Sequence, residues 1–247
     1  MCIRDSAKSD SLRGREVTYF GIAPVEETVV RTDGLGQITS GLVTGGGFTP
    51  ATISAFQNVT SQTDFKDSQI HSLEFNRVTW GWDILKSFAG IRYVHFADLY
   101  QQTNVNGFGE TGFFELSAIN NLIGPHIGGE IFYDVGYRLS YSLASEFGLY
   151  ANFNEVDTVL TNNATTFIDA DDPGGSISTT LELKFLAHYQ LSQTARFRFG
   201  YNLLYLGEVA TVSDNFNPLL TPLTATSNSD SDDAFFHGVS FGLEIFR

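Results

Sequence analysis

Residues 139–153 read LSYSLASEFGLYANF, and the division of this stretch between odd and even positions decides the fold. The odd positions hold Leu139, Tyr141, Leu143, Ser145, Phe147, Leu149, Ala151 and Phe153, while the even ones hold Ser140, Ser142, Ala144, Glu146, Gly148, Tyr150 and Asn152. Successive side chains of a β-strand point to opposite faces, so this stretch has one apolar and one polar face. The same division recurs over 177–191, 195–205, 123–133 and 239–245, and a helical period fits none of these windows as well. Working outward, the pattern predicts eight strands at 17–23, 67–78, 83–97, 119–134, 137–153, 176–191, 195–206 and 234–246, the first being the weakest. Short links (79–82, 135–136, 192–194) alternate with long ones (24–66, 98–118, 154–175, 207–233). An even number of antiparallel strands with short turns at one rim and long loops at the other is the layout of an outer-membrane barrel. The expected fold is therefore all-β: a closed antiparallel up-and-down transmembrane β-barrel of about eight strands, long-looped at one rim.

Bulk composition hides this. Hydrophobic residues make up 42% of the 247, and mean hydropathy is −0.04. No run approaches the roughly 20 apolar residues of a membrane helix. A barrel alternates lipid-facing with lumen-facing residues, which cancel in any average, and 22 Phe, 10 Tyr and 24 Gly suit one. A net charge of −14 argues against nucleic acid as a partner, because phosphate contacts need clustered Lys and Arg. The single cysteine, Cys2, excludes an internal disulfide and a cysteine metal site. Residues 1–15, MCIRDSAKSDSLRGR, lack the apolar core of a signal peptide and read as a non-native or disordered leader to one barrel domain over 16–247.

Charge placement supports the assignment. The four long loops hold 17 of the 28 acidic residues but only two basic ones, Arg31 and Lys66. Within strands, charge falls at even positions: Glu74, Glu130, Glu146, Glu182 and Glu244 against Lys86, Arg92, Arg138, Lys184, Arg196 and Arg198. Odd positions carry charge only near strand ends, at Asp67, Arg77, Asp83 and Arg247. A Lys or Arg facing lipid at mid-membrane costs roughly 2–4 kcal/mol, so the even face is expected to line the lumen and its charges to form an ion-pair network. An eight-stranded interior is just wide enough for side chains to fill, which makes a wide pore unexpected. Parity alone does not say which face is inside; a soluble ligand-binding barrel would reverse the two.

Several stretches resemble a family of outer-membrane β-barrel porins known mainly from planctomycete-type bacteria. They are EVTYFG at 16–21, TGGGFTPATISAF at 44–56, HSLEFN at 71–76, FAGIRYVHFAD at 88–98, NNLIGPHIGGEI at 120–131, LSQTARFRFGYNLLYLGEV at 191–209 and FFHGVSFGLEIFR at 235–247. The resemblance implies an outer-membrane barrel, with no catalytic residue to carry over. The chain ends on Arg247 with Phe246 penultimate, whereas the usual assembly signal ends on an aromatic residue.

Sharper chemistry finds less support. Asp169, Asp171 and Asp172 precede a Pro-Gly-Gly turn, and Asp230, Asp232 and Asp233 form a second group, but neither has the spacing of an EF-hand. His71 adjoins Ser72, and neighbouring strand residues point apart, so they make no nucleophile–base pair; His126 and His188 have lumen parity. Gly45, Gly46 and Gly47 precede no strand–helix unit, and Trp80 and Trp82 suit either an interfacial girdle or turn packing. The expectation is a non-enzymatic outer-membrane barrel without cofactor. Its partners would be membrane lipid, the barrel-assembly machinery and small solutes or cations passing a charge-lined lumen. The alternative is a non-conducting barrel acting through its acidic loops.

Overall fold

The computed structural model describes residues 12–44, 48–82, 84–221 and 232–245. Ten strands occur in it: β1 (Leu12–Thr32), β2 (Val43–Thr44), β3 (Val59–Trp82), β4 (Leu85–Asn106), β5 (Thr111–Gly136), β6 (Leu139–Asn162), β7 (Thr165–Gln190), β8 (Ala195–Val209), β9 (Leu219–Leu220) and β10 (Asp232–Ile245). Eight form one antiparallel meander in the order β1-β3-β4-β5-β6-β7-β8-β10, and β2 pairs with β9 in parallel. All eight expected strands are present, in the expected order.

Most run further than the alternation suggested, chiefly on the long-loop side, while β1 and β3 also extend toward the short-turn rim. The expected loop 98–118 is mainly strand closed by a turn at 107–110, and 154–175 is a hairpin turning at Asn163 and Ala164. Both of those residues have positive φ, 48° and 62°, as a two-residue hairpin turn requires. These extensions stayed hidden because both faces are polar there: QQTNVN at 101–106 carries strand geometry without hydrophobic alternation. Leu12–Arg15, expected to lie before the barrel, pair with Trp80, Thr79, Val78 and Arg77 of β3. Residues 1–11, Gly45–Gly47, Asp230, Phe246 and Arg247 lie outside the described residues.

The sheet curls until its even face meets itself. Arg92 on β4 reaches Glu182 on β7, Lys86 on β4 reaches Glu16 on β1, and the Phe96 and Phe236 rings of β4 and β10 pack edge to face at 5.4 Å. The expected closure is not made: among the described residues β1 and β10 are unpaired edges, and a cavity of about 440 Å³ lies between them and the interior. Even positions fill the inside in layers. A polar layer near the short turns is followed by an apolar one of Ile70, Val94, Phe96, Leu122, Tyr150 and Leu204. Glycine makes room where a ring lies against the wall. A methyl on Gly148 would overlap the Tyr150 ring, and one on Gly128 the Phe88 ring.

At the far rim two connections fold inward. A short 3-10 helix at Pro50–Phe56 and a helical turn α1 (Val212–Asn215) place Ile53, Phe56 and Val212 against Phe114, Leu116 and Leu160 of the wall. Odd positions of the lower wall face outward and stay exposed, among them Leu143, Phe147 at 51%, Phe199 and Phe241 at 68%. Trp80 turns inward onto the buried Phe132 ring at 5.3 Å, a turn-packing role and not an interfacial one. The side chain of Trp82 lies outside the described residues.

Candidate functional site: a buried ion-pair layer and a tethered plug

Arg92 sits at the centre of the interior and is fully buried. Its Nε donates to Ser72 Oγ at 2.7 Å, and its Nη1 donates to Glu146 Oε1 and Glu182 Oε2, both at 2.9 Å. Glu74 lies 3.5 Å from the guanidinium, and Lys184 Nζ approaches Glu182 at 3.1 Å and Glu146 at 3.7 Å. His126 completes the layer. Its Nδ1 contacts Glu146 Oε1, and its Nε2 lies 2.6 Å from Asn76 Oδ1, while the Asn76 amide nitrogen donates to Glu74. Both ring nitrogens thus lie against side-chain oxygens. Arg92 and Lys184 stand together among the carboxylates of Glu74, Glu146 and Glu182. Glu74, His126 and Glu146 also bring ligand-type atoms within 4.8 Å of one another.

A second cluster lies toward the short turns. Lys86 Nζ bridges Glu16 at 2.7 Å and Glu130 at 3.5 Å, and Ser142 Oγ donates to Glu130 at 2.6 Å while contacting His188 Nε2 at 2.8 Å. Of the eleven charges read from parity, the structure brings Glu74, Lys86, Arg92, Glu130, Glu146, Glu182 and Lys184 into these two clusters. Arg198 lines the cavity, and the Arg196 guanidinium lies 5.9 Å over the Phe132 ring. Glu244 is in register with Arg196, its side chain outside the described residues. Arg138 departs from the expectation: it occupies the exposed β5–β6 turn with φ 95°, where strand parity no longer applies. Its carbonyl accepts from Gln190 N–H at 2.8 Å.

Sequence parity missed Glu16, Ser72 and Asn76, and it missed the plug tethers altogether. Asn120 donates to the Ala210 carbonyl at 2.7 Å and accepts from the Ala210 amide at 2.8 Å. Asn162 accepts from Ala55 N–H and donates to the Ala51 carbonyl and Ser54 Oγ, and Asp98 accepts from Val212 N–H at 3.0 Å. The available signal was an Asn or Asp at lumen parity inside a strand, where a polar group needs a partner. The two feared nucleophile partners do point apart: Ser72 faces inward to Arg92, while His71 faces outward and bonds the Tyr19 hydroxyl at 2.9 Å. Asp169 and Asp171 occupy odd positions of β7 and Asp172 an even one, so alternation sends them to opposite faces.

Outside the wall's apolar zone, Asp157 carries a raised pKa, through partial burial first and then through Glu155 and Asp171. Glu110, in the β4–β5 turn, is held low by hydrogen bonds from Ser54 and then Asn106. No family model, curated protein or solved structure matches the chain.

Proposed function

We propose that the chain is a bacterial outer-membrane β-barrel that holds its extended, acidic strands and loops at the cell surface, with an interior shut at rest. The observation carrying this reading is the outward apolar belt. From Leu139 to Phe153 the outer face of β6 bears no charge; at roughly 3.3 Å per residue and a tilt near 45° this spans about 33 Å of height, against a hydrocarbon core of about 30 Å. The belt continues through Ile123, Ile177, Phe185, Phe197 and Phe241, all exposed. A soluble monomer rarely leaves so large an apolar patch uncovered, whereas lipid covers it without cost. Above Phe153 the same face turns acidic with Glu155 and Asp157, where the strand leaves the hydrocarbon. Strands of 24 to 26 residues exceed the 9–11 needed to span, so β5, β6 and β7 project well beyond the membrane.

Closure of the interior supports the surface role over the porin role. The ion-pair layer, the apolar layer above it and the tethered loops lie in series along the axis. A porin-like passage of small solutes or cations is the second reading, supported by the cavity of about 440 Å³ that Glu16, Lys86, Lys184 and Arg198 line. Refolding the chain into vesicles, followed by protease protection and planar-bilayer recording, tests both. Protected strands with electrical silence are expected. Sustained conducting steps would favour the porin reading, and a chain that stays monodisperse in detergent-free buffer would sink the membrane reading.

A further inference from the structure

Three arginines stand on the outer face near the short-turn rim. The β1–β3 register places Arg15 directly opposite Arg77, and Arg13 follows two residues along the same face. All three side chains are exposed. Directly opposed residues hold their Cβ atoms about 4.5–5.5 Å apart, and like charges there are destabilising unless something answers them. Among the described residues no in-register neighbour on this face is an acid: they are Thr79, Val17, Phe75 and Ala89. Glu16 and Glu74, on the same two strands, have the opposite parity and are engaged by Lys86 and Arg92. Beside Arg77, the outer face carries the small residues Ala89, Ser87 and Gly129. Val17, Phe75 and Ile91, all more than half exposed, begin the apolar belt immediately above.

Resting on the membrane reading, we infer that Arg13, Arg15 and Arg77 bind the phosphate of an anionic phospholipid whose acyl chains lie along Val17, Phe75 and Ile91. An arginine is costly against mid-membrane hydrocarbon and tolerated at the interface, so the pair marks the level of the headgroups. Guanidinium groups suit this ligand because they grip phosphate oxygens in a planar, bidentate fork. The opposite rim repels it, since the outward residues there are Glu155, Asp157, Asp169 and Asp171.

The test uses the full chain refolded into phosphatidylcholine vesicles with and without phosphatidylglycerol, then extracted gently and weighed with its retained lipids by native mass spectrometry. Phosphatidylglycerol should be retained in preference to phosphatidylcholine. Arg15→Gln and Arg77→Gln should each weaken that preference about fivefold, as expected for one basic contact near a membrane surface. Arg31→Gln, at the other rim, should leave it intact. Added inorganic phosphate should not compete at matched concentration; equal competition would make this a site for free anions and overturn the lipid assignment. Insertion into phosphatidylcholine with no lipid preference, or a preference that survives R15Q/R77Q, overturns this inference and leaves the membrane reading standing. Failure to insert into any vesicle overturns both.

Discussion

Replacing Arg92 by Met removes the one guanidinium that touches three interior carboxylates while keeping most of its bulk. An exposed ion pair would cost at most about 1 kcal/mol to lose. Here the guanidinium is fully buried and its partners Glu74, Glu146 and Glu182 are no more than 3% exposed, so the buried limit of roughly 3–5 kcal/mol applies. The cavity bordering all three carboxylates gives water a way to hydrate the ions left behind. That places the expected loss near the lower end, about 3 kcal/mol, or roughly 150-fold in the folded-to-unfolded ratio. Reversible urea unfolding in vesicles, followed by circular dichroism, reads it directly. The R92M/E182M double variant should recover much of the loss, because it removes the buried cation together with one of the carboxylates that it answers. Glu182→Gln alone should cost less than R92M, since the amide oxygen still accepts from Arg92. A loss below 1 kcal/mol for R92M, or a double variant no better than the sum of its parts, would refute the idea of a mutually paired ionic layer.

Asn120→Ala removes both hydrogen bonds to Ala210 and leaves a buried amide and carbonyl unanswered, at about 1–3 kcal/mol; faster proteolysis of the 210–221 connection at unchanged sheet content is the expected sign. Gly148→Ala forces the Tyr150 ring off the wall and should cost about 1–3 kcal/mol of unfolding free energy, with Ser145→Ala on the outer face as a near-neutral comparison. The raised pKa of Asp157 means the fold holds its proton more tightly than the unfolded chain does. The penalty for ionising it is therefore absent below its ordinary value of 3.8 and grows as pH rises through the higher folded value. Because the group is only partly buried and solvent screens it, Asp157→Asn should gain only a few tenths of a kcal/mol at pH 7 and nothing at pH 3, a pattern checked by unfolding midpoints at the two pH values.

Strand identity and facing were legible wherever one face was greasy and the other polar. Residues 139–153 have a strict period of two, and a one-residue slip would exchange every Leu and Phe of that stretch with the polar set, so which residues share a face follows from the sequence. That Glu146, Glu182 and Arg92 share one face follows from the same parity; that this face is the interior is given by the curl of the sheet. Legibility failed where that contrast disappears. The extensions at 98–106 and 154–162 look like loops because the outer face is polar and the inner one mixes Asn, Gln and Thr with a few apolar residues such as Val156 and Leu160; ladder hydrogen bonding and hairpin turns hold them as strands. Arg138 failed for a local reason, because a turn with positive φ breaks the parity that assigned it.

What the sequence determined by itself is the meander of eight strands and the face on which each of their residues sits, since both depend on neighbours one and two places away. Only the tertiary structure decided which charges meet, how far the two edge strands stand apart, and that the connections fold inward onto Asn120, Asn162 and Asp98. Glu146 and Arg92 are separated by 54 residues, and Asn120 and Ala210 by 90. No local pattern encodes such contacts, because they depend on the curvature summed over all the strands between them.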